Sequence, residues 1–243
     1  MKKVALALCL TALAIAVGVI PALALPTPGD TVTATYSYDS SYGTMHITID
    51  GTSNEYVYTG PYKITTTPNG TSDFWYCFDA GTILQSPWTG YVWGLSSGAD
   101  VSGIAGFMGL NPNQITMVSW LAHQTGKYSQ YALNAAIWEV GKDYDNTIPV
   151  TFGLDVTAGD FKLDPGYSSE YLPFIPQIGQ LLEGALASLE QPLLPSLFLL
   201  PVDANGDRVA NQPFVTPVPE PSTLLLLGTA LIGLGAFARK RKN

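Results

Sequence analysis

The sequence predicts an α+β fold: a single exported domain with antiparallel strands early and late and a central helical pair, plus one C-terminal transmembrane helix. Three observations predict it. Apolar residues alternate with period two near the start, where Met45, Ile47 and Ile49 interleave with His46, Thr48 and Asp50, and a second strand pattern returns before the tail. Between these regions the spacing becomes helical, with Ile115, Val118, Leu121 and Ala122 on one face. Finally, 17 uncharged residues, 222–238, end in Arg239-Lys240-Arg241-Lys242.

Taking the elements in order, Lys2 and Lys3 precede an apolar run over residues 4–20, and Ala22 and Ala24 supply the small residues a signal peptidase accepts. Residues 1–24 therefore read as a cleaved secretory signal, leaving Leu25 first. Cys9 departs with the signal, so the exported body keeps Cys77 alone and can form no internal disulfide. Such a thiol is either buried and inert or kept for chemistry.

The exported α+β domain spans residues 25–215. Its first part, 31–67, reads as antiparallel strands separated by turns at 39–43, Asp50-Gly51 and Pro68-Asn69-Gly70, with Tyr36 and Tyr38, then Tyr56 and Tyr58, at strand spacing. Residues 74–78 read as a buried strand carrying Trp75, Tyr76 and Cys77. Residues 79–111 read as a Gly-, Ser- and Trp-rich connection. Asn111 and Pro112 then mark a helix start, and a second helix at about 129–141 places Leu133, Ala136, Ile137 and Val140 on one face. The short loop at Gly126 makes the two helices antiparallel neighbours. Short strands are expected at 150–156 and 161–163, and a helical stretch at 168–189 weakened by Pro173 and Pro176. The last element is a hairpin, 197–202 and 208–215, whose Asn205-Gly206 suits a type I′ turn.

Charge narrows the function. Residues 25–218 hold 5 Lys/Arg and 18 Asp/Glu, so the body carries 5 − 18 = −13. That balance repels phosphate backbones and anionic membrane surfaces, and no nucleic-acid partner is expected. No cofactor or metal site is expected either. His46 and His123 lack ligand-spaced partners, and Phe214 stands where the calcium-loop spacing begun by Asp203, Asn205 and Asp207 needs a carboxylate. Trp75, Trp88, Trp93, Trp120 and Trp138 would suit stacking on extracellular polysaccharide if exposed, whereas strand and helix cores use the same residues.

Pro219-Glu220-Pro221 is stiff and helix-hostile, and Ser222 is an N-cap for a helix over 222–238 about 26 Å long, within the spanning range. The basic block Arg239, Lys240, Arg241 and Lys242 stops the span and stays cytoplasmic, placing the body across the membrane. This order of parts, within a tail of residues 216–243, resembles the PEP-CTERM sorting signal. The resemblance implies recognition by an exosortase-type transpeptidase, a membrane-embedded cysteine enzyme of Gram-negative bacteria that make extracellular polysaccharide. It implies an inner-membrane intermediate, followed by the cell surface or secretion to the extracellular matrix.

Within residues 72–142, Tyr76-Cys77-Phe78-Asp79 and the run from Ala132 to Glu139 resemble bacterial surface thioester domains and a related group of PEP-CTERM proteins. In that family a strand Cys and a helical Gln, four residues before Trp, condense into an internal thioester that acylates a host amine or hydroxyl. Cys77 matches the first position, while the second holds Asn134, one methylene shorter. The expected function is a non-enzymatic surface or matrix protein with no catalytic residues. The alternatives are a covalent thioester adhesin using Cys77 and Asn134, and a hydrolase with Cys77, His123 and Asn134 in papain-like order.

Overall fold

The computed structural model describes residues 25–82, 84–144 and 156–218. Six antiparallel strands close a barrel in the order β1 (Thr31–Tyr38), β4 (Tyr62–Thr67), β5 (Gly70–Cys77), β9 (Phe214–Pro217), β8 (Ser196–Pro201) and β6 (Trp88–Leu95). The late hairpin β8–β9 thus fits between the early strands β5 and β6 and removes both open edges. Alternate side chains fill the interior: Val32, Ala34, Ile64, Trp75, Cys77, Trp88, Val92, Leu197, Leu199 and Phe214. β8 is buried at every position, because Phe198 and Leu200 on its outer face lie against the helices.

A second sheet, β3 (Thr52–Tyr58), β2 (Thr44–Ile49) and β7 (Phe161–Leu163), flanks the helical layer. The β2–β3 connection is a two-residue Asp50-Gly51 turn with both φ angles positive, 50° and 76°, the type I′ geometry that matches strand twist. The helices are α1 (Gly98–Met108), α2 (Pro112–Ala122), α3 (Gln130–Asp143), the short α4 (Ser168–Tyr171) and α5 (Ile175–Ala187). Asn111 and Gln114 form a capping box on α2. The Gln114 amide also donates to the Val140 and Gly141 carbonyls at 2.9 and 3.0 Å, so one side chain starts α2 and satisfies the end of α3. Ile115, Val118, Leu121, Leu133, Ala136, Ile137 and Val140 are all buried, as their spacing requires.

The segment 79–111 is not a mere connection, for it contains β6 and α1. Ser97 caps α1, and Val101, Ile104, Ala105 and Met108 bury one face. Phe74 is 41 % exposed and holds φ 68°, so the buried strand begins after it. The hairpin turn is not type I′, because Asn205 does not take positive φ. Gly206 alone does, at 87°, and its amide closes an i→i+3 turn onto the Asp203 carbonyl. β9 runs to Pro217, which draws Thr216 and Pro217 out of the tail and into the barrel. The signal at 1–24 with Ala22 and Ala24, the strand expected over 150–155, and the tail elements Pro219, Glu220, Pro221, 222–238 and Arg239 to Lys242 lie outside the described residues. Among the described residues no helix is long and apolar enough to cross a membrane.

Candidate functional site

β5 and α3 meet along a seam that contains both residues of the Cys–Asn pair. Strand alternation sends Trp75 and Cys77 into the barrel and Tyr76 outward, and Phe78, just past the strand end, joins it on the helical side. On α3, Gln130, Asn134 and Trp138 recur every four residues and so form one stripe. The Tyr76 hydroxyl donates to Gln130 Oε1 at 2.9 Å and accepts from Thr125 Oγ1 at 2.9 Å. Asn134 Nδ2 donates to the Thr59 carbonyl and, at 3.1 Å, to the Gln130 carbonyl. Trp138 Nε1 donates to the Cys77 carbonyl at 2.9 Å. Beyond it, Gly141 passes the Phe78 carbonyl and Lys142 reaches Asp50 at 3.4 Å and Asp79 at 3.9 Å.

The Cys77 thiol is 1 % exposed and donates to the Asp79 carbonyl at 3.4 Å. Burial pushes its pKa well above the usual thiol range, since the apolar barrel interior disfavours a thiolate; the Asp79 carboxylate raises it further. A protonated, enclosed thiol is a weak nucleophile. Asn134 is fully buried, and its Oδ1 has no hydrogen-bond partner among the described residues. No hydrogen bond joins Cys77 to Asn134 among the described residues. The link between their elements is Trp138, one helical turn past Asn134.

The three residues in papain-like order are each held by different partners. His123 is the C-cap of α2, and its Nε2 sits 2.9 Å from the Pro195 carbonyl and 3.3 Å from Ser196 Oγ. His46 stacks on Tyr167 with ring centroids 3.4 Å apart and pairs with Glu170 at 3.0 Å. Asp203 Oδ1 accepts from the Asn205 and Asp207 amides, which lowers its pKa and fixes the turn. Among the described residues no group of three or more His, Cys, Asp or Glu is arranged to hold a metal ion.

The aromatic surface differs from the one the tryptophans suggest. Trp75, Trp88 and Trp138 are buried, and Trp93 and Trp120 pack against the helical core. Tyr38, Tyr42 and Phe74 are the exposed rings at one end of the barrel. Only the clustering of Tyr residues near 36–42 hinted at them, and nothing in the sequence singles out Phe74. At another edge, Leu25 and Val218 line a groove of about 600 Å³ with Pro26, Pro28, Tyr91 and Trp93. The Val218 amide donates to the Pro195 carbonyl at 3.0 Å, which holds the end of the barrel chain against the start of β8.

A family model described as the PEP-CTERM protein-sorting motif matches residues 217–242. The match supports export through a C-terminal sorting signal and an exosortase-type processing partner. No characterised protein and no solved structure matches the chain.

Proposed function

We propose that this chain is a non-enzymatic protein of the cell surface or extracellular matrix, sorted through its C-terminal signal and processed by an exosortase-type transpeptidase. The observation that carries the reading is the sorting motif at residues 217–242, which follows directly on the last barrel strand. Signal peptidase removes residues 1–24, and the apolar segment 222–238 holds the body at the inner membrane until the tail is processed. Because β9 ends at Pro217, cleavage near Pro219-Glu220-Pro221 leaves the barrel complete.

Mass spectrometry of the exported protein tests this. The mature C-terminus is expected near Pro221, with Arg239 to Lys242 absent. Replacing Pro219, Glu220 and Pro221 together by alanine is expected to leave the tail intact and the protein in the membrane fraction. Recovery of the intact tail from the unaltered protein would make it a permanent anchor.

A covalent adhesin is the second reading, favoured by the Trp138 indole on the Cys77 carbonyl four residues after Asn134. In that chemistry Cys77 Sγ attacks the Asn134 carboxamide carbon, the C–N bond breaks, and the thiol proton leaves with the nitrogen as ammonia. The enclosed thiol and the engaged Asn134 amide favour an intact pair instead. The expected intact mass is that of the unmodified chain, with one alkylation on Cys77 only after denaturation. A mass lighter by one ammonia, restored in Cys77→Ala, would establish the adhesin reading.

A further inference from the structure

We propose that the barrel rim formed by β1, β4 and β5 carries a saccharide-binding cleft, built from Tyr42, Phe74, Asp39 and Lys63, that takes one neutral pyranose ring of an extracellular polysaccharide. This rests on the surface or matrix reading above and adds a ligand class and a site to it.

Five large hydrophobic side chains are exposed among the described residues, and three gather here: Tyr38 at 58 %, Tyr42 at 38 % and Phe74 at 41 %. Tyr42 and Phe74 line a cleft of about 120 Å³ with Asp39, Pro61 and Lys63. Drug-sized ligands need roughly 300 Å³ or more, so this cleft suits a single ring. A pyranose presents apolar C–H faces and a rim of hydroxyls. Aromatic rings cover such a face, while a carboxylate accepts from the hydroxyls and an ammonium donates to them. The cleft supplies all three kinds of group.

The cleft is also preorganised. Asp39 caps the 3₁₀ turn Ser40–Tyr42 and accepts from the Ser41 amide at 2.9 Å, which holds its carboxyl below the usual range and therefore ionised. The Tyr58 hydroxyl accepts from the Asp39 amide at 3.2 Å and lies 3.1 Å from both the Asp39 and Pro61 carbonyls, sharing its single proton between them and tying two walls to one atom. Thr59 Oγ1 donates to the Tyr42 carbonyl at 2.7 Å. Desolvation raises the Tyr58 hydroxyl to about 12, so it stays protonated and donating across the whole physiological range. Phe74 keeps φ 68°, a conformation bulky residues rarely adopt, and it projects outside the barrel while Trp75 beside it fills the interior. Backbone strain of this kind persists where presentation of a side chain matters. The body's charge of −13 and the Asp39 carboxylate in the cleft favour a neutral sugar over a uronate polymer or an anionic membrane.

Native electrophoresis of the full exported protein through gels cast with dextran, galactomannan or a cellulose ether, with alginate as the uronate comparison, tests the cleft. Retardation is expected in at least one neutral gel and not in alginate. Tyr42→Ala and Phe74→Gly are each expected to weaken it about tenfold, the loss of one stacked ring. Phe74→Gly also relieves the positive φ, so its melting temperature is expected to stay level or rise, which separates lost binding from lost folding. Absence of retardation in every neutral gel, retardation by alginate alone, or retardation untouched by both variants would overturn the proposal. Co-fractionation with the cell-surface matrix reads the broader function separately. Variants that stay in the matrix fraction while no neutral sugar binds would leave the surface reading standing, whereas an unaltered protein that never reaches that fraction would defeat it.

Discussion

Replacing Trp138 by alanine is expected to destabilise the exported body by about 3–5 kcal/mol, a fifth or more of the ~5–15 kcal/mol that holds a domain folded. Two losses combine. The indole is 3 % exposed in the helical core and lies edge-on to Phe161, with centroids 6.1 Å apart, so its removal opens a large cavity between α3 and the second sheet. Its Nε1 also donates to the Cys77 carbonyl, and this bond fastens α3 to the end of β5. Trp138→Phe keeps most of the volume and forfeits the donor, which sets its expected cost at about 1–2 kcal/mol. Urea unfolding followed by tryptophan fluorescence and circular dichroism reads both. Equal midpoints for Trp138→Ala and the unaltered protein would mean that this seam contributes little.

Gly141→Ala is expected to cost about 1–3 kcal/mol, against the direction of helix propensity, which favours alanine by ~1 kcal/mol. A Cβ at Gly141 would lie 2.6 Å from the Phe78 carbonyl oxygen, and backbone cannot rotate out of the way as a side chain does. α3 would have to lift from β5, weakening the nearby Trp138 bond as well. Gly106, on the exposed face of α1, provides the contrast, because a methyl group there would meet no neighbouring atom within 4 Å. There Gly106→Ala is expected to stabilise by about 0.5–1 kcal/mol, since propensity acts unopposed. Opposite shifts in the urea midpoints of the two variants check the pair. A stabilising Gly141→Ala would show that the seam is looser than its geometry.

These glycines also explain which elements were legible. α2 and α3 are written locally, through the Asn111–Gln114 capping box, Pro112 and apolar positions a turn apart. α1 has the same periodicity, but Gly98, Gly103 and Gly106 disguise it as a connection. The reason for one of them is tertiary, since a Cβ on Gly103 would strike the Trp93 ring of β6 at 2.5 Å. β2 followed its alternation except at His46, which Tyr167 and Glu170 cover from a segment more than a hundred residues away. Cys77 and Asn134 stood out by residue type and spacing. Their long-range hydrogen bonds did not, because the Thr59 carbonyl meets Asn134, and the Trp138 indole the Cys77 carbonyl, only after distant elements have docked.

From its residues alone, this protein reads as an acidic body, expected to keep a single thiol between two expected address segments, with a central helix pair and strands on either side. Composition, charge order and local periodicity carry those properties, and none depends on distant contacts. Barrel closure, the burial of the Cys77 thiol, the gathering of Leu25 and Val218 into one groove and the exposed Tyr42–Phe74 cleft were decided by the tertiary structure. Each joins segments far apart in the chain, where strand register and side-chain environment follow from which surfaces pack together.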